Sequence, residues 1–307
     1  MSGDGSEAPF WFTRAVETVP EEGEVVVDGC PVHYLAWGER RAPGVVLVHG
    51  GAAHARWWSH LAPVLEGGGR QRVVAIDLSG HGDSGWRTSY RLETWAEEVI
   101  AVGQDAGITA PPAVIGHSLG GLVTIAAAAR YGQQLAGAIV VDSPVQRPDP
   151  ESEEARGGRA FRRLKTYPDA AEALARFRLI PPQPEPPSYV LSHVARHSLK
   201  AVDGGWTWKF DPAIFTRRSQ PDPRTYGDDL ARVRCRLAVI HGELSSIVNE
   251  DITDYMAERL GRSAPFVEIP QAHHHLILDR PLSFVSAVRA LLADWEHSTP
   301  RRIPGAV

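Results

Sequence analysis

The sequence predicts an α/β fold, a mostly parallel sheet with helices on both faces, and a lid inserted late in the chain. Three observations predict it. Uninterrupted apolar runs such as Val45-Val46-Leu47-Val48, Ala138-Ile139-Val140-Val141 and Leu237-Ala238-Val239-Ile240 have the length and composition of strands buried on both faces. Between such runs lie stretches with helical spacing, for example Leu92, Trp95, Val99 and Val102. Residues 144–224 then abandon the alternation for arginine, proline and aromatic residues, including Pro181-Pro182-Gln183-Pro184-Glu185-Pro186-Pro187, an interruption too long for a compact α/β core.

Taken in order, residues 1–22 read as a loose lead-in, 23–143 and 225–307 as the core, and 144–224 as a lid of helices and loops. Val25-Val26-Val27 and the segment from Cys30 to Trp37 read as two strands joined at Asp28-Gly29, a dipeptide that accepts hairpin dihedrals. A helix is expected over 56–65, a strand at Arg72-Val73-Val74-Ala75-Ile76, and a helix over 91–106. Pro111-Pro112-Ala113-Val114-Ile115 leads into an alanine-rich helix that Gly132 should stop through a positive φ. Residues 264–269 supply a further strand, and 281–295 a closing helix.

At 307 residues the chain can bury a substantial core. Asp and Glu (37) outnumber Lys and Arg (32), and no basic stripe appears, which argues against a nucleic-acid partner. No apolar run approaches the roughly 18 residues of a membrane helix. The acidic start Met1-Ser2-Gly3-Asp4-Gly5-Ser6-Glu7 does not read as a secretory signal. The two cysteines, Cys30 and Cys235, fall on different parts of the sheet, so a disulfide framework is not expected and a cytoplasmic location is. Oligomeric state is not legible.

The chemistry gathers at Gly116-His117-Ser118-Leu119-Gly120, a Gly-x-Ser-x-Gly turn between strand and helix. The bare pattern is weak, with about 0.2 chance matches expected in a chain of this composition; its strand-to-helix context gives it weight. A serine there projects outward on a strained corner, which makes Ser118 the candidate nucleophile. An alcohol needs a base, and imidazole titrates in the useful range. His273, His274 and His275 offer themselves. A zinc site built from that triplet is disfavoured, because consecutive side chains point in different directions. His49, Asp77, Ser118, Asp142 and the loop holding His274 all follow strands, so one edge of the sheet should collect them.

Together with His49-Gly50-Gly51, the loop from Asp77 to Gly85, His241-Gly242-Glu243, and Ile269-Pro270-Gln271-Ala272-His273-His274-His275 with Asp279-Arg280-Pro281, the elbow resembles the α/β-hydrolase fold family. Within it the chain is similar to single-chain serine hydrolases with a lid between core strands six and seven. The resemblance runs over residues 24–295 and implies an eight-stranded sheet. It selects His274 as the base, from its spacing to Asp279 and Pro281. It also implies that Asp142, after the sixth strand, is the acid, because Ser245 stands where many relatives place an aspartate. Glu243 is the rival acid, with Asp251 and Asp254 read as helix-surface residues. By the same resemblance the oxyanion donors are the amides of Gly51 and Leu119, with Ala52 a near alternative. His49 and Asp83 are expected to brace turns and Asp77 to anchor a loop.

The resemblance thus implies a cofactor-independent serine hydrolase with no metal, acting on small or medium carboxylic esters. Lactones, thioesters and the C–C bonds of diketones stay open as substrates, as does transfer to an alcohol. A non-catalytic ligand-binding member of the fold is the reading from another class. Ala52, Trp57, Trp206 and Trp208 are expected at the substrate pocket; the lid aromatics serve equally well as glue between lid and core.

Overall fold

The computed structural model of the protein describes residues 7–147, 164–216, 224–261 and 263–298. Asp28 and Gly29 both take positive φ (51° and 74°), the conformation a two-residue hairpin demands, and so fold β1 (Glu21–Val27) antiparallel onto β2 (Cys30–Trp37). The apolar runs follow as β3 (Gly44–Val48), β4 (Arg72–Ile76), β5 (Ala113–His117) and β6 (Gly137–Val141). A small hairpin, β7 (Leu199–Val202) with β8 (Gly205–Trp208), precedes β9 (Arg236–Gly242) and β10 (Phe266–Ile269).

The main sheet has eight strands in the order β1-β2-β4-β3-β5-β6-β9-β10, parallel from β4 to β10. β3 lies between β4 and β5, so the chain reverses its direction of travel across the sheet there. Such a switch point opens a crevice at the carboxyl ends of the strands.

Among the described residues ten helices accompany the strands: α1 (Phe10–Glu17), α2 (Ala62–Glu66), α3 (Leu92–Asp105), α4 (Leu119–Tyr131), α5 (Ala170–Leu174), α6 (Ser188–His197), α7 (Arg224–Ala231), α8 (Glu250–Arg259), α9 (Leu276–Asp279) and α10 (Pro281–His297). Alternate residues of each central strand point to opposite faces. Val46, Val48, Val114 and Val140 pack into the layer of α3, α4 and α8, whereas Val45, Leu47, Ile115 and Ile139 pack into the layer of α2, α9 and α10. Both faces are covered, which is why these strands read as unbroken apolar runs.

Four local expectations change. The lead-in contains α1, whose Phe12 is buried with its ring 4.7 Å from that of Tyr189 on α6; residues 1–6 lie outside the described part. The helix expected over 56–65 divides into a 3-10 turn at Ala55–Trp58 and α2, because Pro63 enters at the first turn and lacks the amide that would continue one helix. Gly132 follows α4 but has φ −55°, so a positive φ is not its reason; a Cβ there would lie 3.0 Å from the Arg234 carbonyl carbon. Between β6 and β9 the described segments hold the β7–β8 hairpin as well as helices, while 148–163 and 217–223 of the expected lid lie outside the described residues. Cys30 and Cys235 are both free thiols.

Candidate active site

Ser118 sits between β5 and α4 at φ 54° and ψ −119°, a strained conformation for a residue with a side chain. Its glycine neighbours make the corner possible. A Cβ on Gly116 would lie 2.0 Å from the Gly120 carbonyl oxygen, one on Gly120 2.4 Å from that of Val48, and one on Gly121 1.8 Å from Ser143 Oγ. The Ser118 amide is tied to the Val141 carbonyl at 2.9 Å, so β6 holds the corner in place.

The next residue after β6 is Asp142, fully buried and also at positive φ (46°). Its carboxylate accepts from His274 Nδ1 at 2.9 Å, from the Gly242 amide at 2.8 Å and from the Ser245 hydroxyl at 2.6 Å. With Nδ1–H held by Asp142, the lone pair of the His274 imidazole is on Nε2. Ser118 and His274 line one cavity.

The rival residues go elsewhere. Glu243 accepts from the Gln271 amide at 2.7 Å in an exposed position, and Asp251 and Asp254 lie on the outer surface of α8. His273 turns to Asp279, its Nδ1 3.0 Å from Oδ2. His275 is buried, its ring 5.7 Å from that of Trp57. Asp77 holds three partners, the Ala55 amide at 2.6 Å, His33 Nδ1 at 2.8 Å and the Asp83 amide at 3.0 Å; burial acts to raise its pKa, but the His33 hydrogen bond, with the His54 and His49 rings close by, holds its carboxyl well below the usual range. His49 accepts from the Leu78 amide at 3.1 Å, while Asp83 reaches across to the Lys209 ammonium at 2.7 Å.

Gly51 and Ala52 follow β3 and face the same cavity. The amides of Gly51, Ala52 and Leu119 donate to no other described backbone carbonyl. Ala52 carries the positive φ of this loop (58°), whereas a Cβ on Gly51 would press on the ring of Phe215 at 3.2 Å.

The cavity is about 280 Å³ in volume. Trp57 and Trp208 line it; Trp206 does not, and instead pairs its backbone with that of Tyr167 at 2.8 Å beside the cavity. Phe210, from the same aromatic cluster as Trp206 and Trp208, also lines the cavity, whereas sequence reasoning missed Tyr167 and Phe177 on its apolar wall and Lys165, Arg176 and Arg178 among its polar groups. Only the aromatic and arginine content of residues 144–224 pointed to them.

A second serine–histidine contact also borders the cavity: His54 Nε2 lies 2.9 Å from Ser198 Oγ. The Ser198 hydroxyl already donates to the Val194 carbonyl at 2.7 Å, so His54 is the donor in this pair and not a base. Burial drives the His54 pKa down to about 3, and Ser59 with His193 at 2.7 Å likewise joins the segment before α2 to α6. Burial also holds His117 well below the usual histidine range and brings His275 down to about 3, so both rings are neutral near pH 7.

No helix among the described residues is long and apolar enough to cross a membrane. Over 265 residues, 84% of this chain and 85% of the relative, the sequence is 27% identical to Esterase Rv0045c of Mycobacterium tuberculosis. It is 31% identical to Lipase LipV of the same organism over 37% of this chain and 42% of that one. Among solved structures, the thioesterase domain from the curacin biosynthetic pathway superposes with a TM-score of 0.74 at 23% identity, covering 88% of this chain and 99% of that one. The family model described as "Alpha/beta hydrolase family" matches residues 45–288. A match of that extent, on a sheet of this topology, establishes that the chain belongs to the alpha/beta hydrolase family and is a hydrolase.

Proposed function

We propose that the protein hydrolyses small or medium carboxylic esters through an acyl-enzyme on Ser118. The observation that carries this reading is the buried Asp142–His274 hydrogen bond at 2.9 Å, whose imidazole opens onto the cavity that Ser118 lines. Ser118 Oγ attacks the ester carbonyl while its proton passes to His274 Nε2, and Asp142 stabilises the imidazolium so formed. The amides of Gly51 and Leu119 stabilise the oxyanion, with the neighbouring Ala52 amide as the alternative donor. Collapse of the tetrahedral intermediate releases the alcohol, which takes the proton back from His274. Water, deprotonated by the same imidazole, then attacks the acyl-enzyme and releases the acid. No step calls for a cofactor.

In this reading residues 144–224 form the lid over a core of 23–143 and 225–307. Trp57, Trp208 and Phe177 supply an apolar wall for the acyl or alcohol group, in a cavity whose volume of about 280 Å³ suits a small or medium ester. The similarity to an enzyme named an esterase over most of both chains also favours ester hydrolysis. A fluorophosphonate probe is expected to label Ser118 in the intact protein, and Ser118→Ala is expected to lose both the label and the hydrolysis of p-nitrophenyl esters. Full ester turnover by the alanine variant would overturn the proposal.

A further inference from the structure

Gly51 carries a proposed oxyanion donor, yet no hydrogen bond fixes its backbone. Among the described residues neither its amide nor its carbonyl has a partner; the loop closes over it through the Ala53 amide and the Gly50 carbonyl at 3.2 Å. Glycine has more conformational freedom than any other residue, and Ala52 beside it stands at φ 58°, a conformation that persists only where the surroundings impose it. A donor aimed at a developing negative oxygen is effective to the extent that it is aimed beforehand. Packing therefore has to supply what hydrogen bonds do not.

The packing comes from Phe215. An ideal Cβ on Gly51 would meet Cε1 of that ring at 3.2 Å, Cζ at 3.3 Å and Leu119 Cδ2 at 3.8 Å, so the ring edge and the Leu119 side chain close on Gly51 from the same side. Gly51 lines the cavity and Phe215 does not, so the ring backs the loop from the side away from substrate. Phe215 and Leu119 also pack against one core cluster, the layer of α3 and α4.

The ring is itself held. It ends a single 3-10 turn, Pro212–Phe215, in which the Ala213 amide donates to Asp211 Oδ1 at 2.9 Å. The other oxygen of Asp211 accepts from the Tyr90 hydroxyl at 2.7 Å, and the Asp211 amide donates to the Gly80 carbonyl at 2.7 Å. Tyr90 is buried and stacks on Trp95 with ring centres 5.8 Å apart. Ile214 is buried in the core, and the Phe210 ring stands edge-on to Phe215 at 5.9 Å. The turn is thus pinned to the stretch between β4 and α3, independently of the serine corner.

We propose that Phe215 is a positioning residue for the oxyanion hole. Its ring holds the Gly51 amide on the developing oxygen and keeps water from the back of the loop, where water would compete for the amide and weaken its field. The proposal rests on the ester hydrolysis by Ser118 proposed above. Phe215 touches no reacting atom, so it acts on the transition state, in which the oxygen is charged, and not on the bound ester, in which it is neutral.

The test compares the full-length wild type with Phe215→Ala on p-nitrophenyl butyrate and on an alkyl trifluoromethyl ketone. In the ketone complex Ser118 Oγ bonds to the carbonyl carbon, the serine proton goes to His274, and the carbonyl oxygen becomes an anion as in the transition state. Loss of a whole oxyanion donor lowers kcat by about 10²- to 10³-fold, so its loosening in Phe215→Ala is expected to lower kcat about 30-fold with KM within about twofold. The Ki of the ketone is expected to rise by the same factor, while the product butyrate binds as before. Phe215→Leu, which keeps an apolar group against Gly51, is expected to return kcat to within about threefold of wild type. Tyr90→Phe frees Asp211 of one clamp without touching the ring, and takes the place of Phe215→Ala should that variant fail to fold. Its kcat and its ketone affinity are expected to fall together by about fivefold, the worth of one hydrogen bond. A fall carried by KM, an unchanged kcat in whichever variant folds, or a loss of kcat without loss of ketone affinity would overturn the proposal and leave the ester reading standing. A wild type with neither ester turnover nor ketone binding would refute the ester reading, and this proposal with it.

Discussion

Asp142 shows how one carboxylate is committed to one task. Ser245 Oγ accepts the amides of Ile247 and Val248, both at 3.1 Å, so its own proton is directed at Asp142 Oδ1, the oxygen that also holds His274. The serine thus supports the aspartate from the place where a second carboxylate would repel it. On the proposed mechanism, Asp142→Asn should lower kcat for ester hydrolysis by about 10³- to 10⁴-fold, because an amide can hold the wrong imidazole tautomer. Glu243→Gln should leave kcat within about twofold, since that side chain holds only the Gln271 amide. The opposite ranking would reassign the acid. Ser245→Ala removes one donor from Asp142 and should lower kcat/KM for ester hydrolysis without abolishing it. Its rate cost should be about tenfold, the worth of one hydrogen bond to a charged group.

At the scale of elements, the corner between β5 and α4 and the segment from Leu164 to Ile180 have opposite jobs. The corner is held by close backbone contacts that only glycine permits, which suits a nucleophile that must not wander. The segment from Leu164 to Ile180 brings Arg176, Arg178 and Lys165 to the cavity, and no Asp or Glu joins them among its described lining residues. A cavity lined by one sign of charge raises the local concentration of the opposite sign. Esters whose acyl chain ends in a carboxylate are therefore expected to be cleaved with kcat/KM about three- to tenfold above neutral esters of equal length at low salt. That advantage should fade by about 0.5 M salt and shrink in Arg176→Ala, as screening requires. Comparison of p-nitrophenyl hemisuccinate with the butyrate checks it, and equal rates in both salts would remove the charge argument.

At the scale of the whole molecule, the two-faced sheet buries histidines as neutral rings. Burial brings His54 down to about 3 and His60 to about 4, whereas an unfolded chain would titrate both near 6.5. The unfolded state therefore binds more protons below that value. The stability these rings contribute is present above pH 6.5 and is lost as the pH falls toward their folded values. Each should contribute a slope of about 1.4 kcal/mol per pH unit between pH 6 and 4.5, beside the contributions of the other buried histidines such as His117 and His275. Urea unfolding across that window measures it. His60→Gln is expected to reduce the slope by about 1.4 kcal/mol per pH unit, and a midpoint unchanged from pH 7 to 5 would contradict the account.

The sequence by itself determined what local rules govern: the hairpin at Asp28-Gly29, the apolar strands, the serine corner and the family to which its motifs point. These were legible because a two-residue turn, a doubly buried strand and a strained strand-to-helix corner each restrict residue type within a few positions. Only the tertiary structure decided contacts between residues far apart in the chain. It took three separate segments to bring Asp142, His274 and Ser245 together, to turn His273 away, and to set His117 beside His274 and His275. It also left Trp206 outside the cavity, gave Gly132 a packing reason in place of a dihedral one, and turned an apparent lead-in into a helix on the core. No spacing rule reaches across 132 residues; packing of both sheet faces sets which side chains meet at the strand ends, and that meeting defines the site.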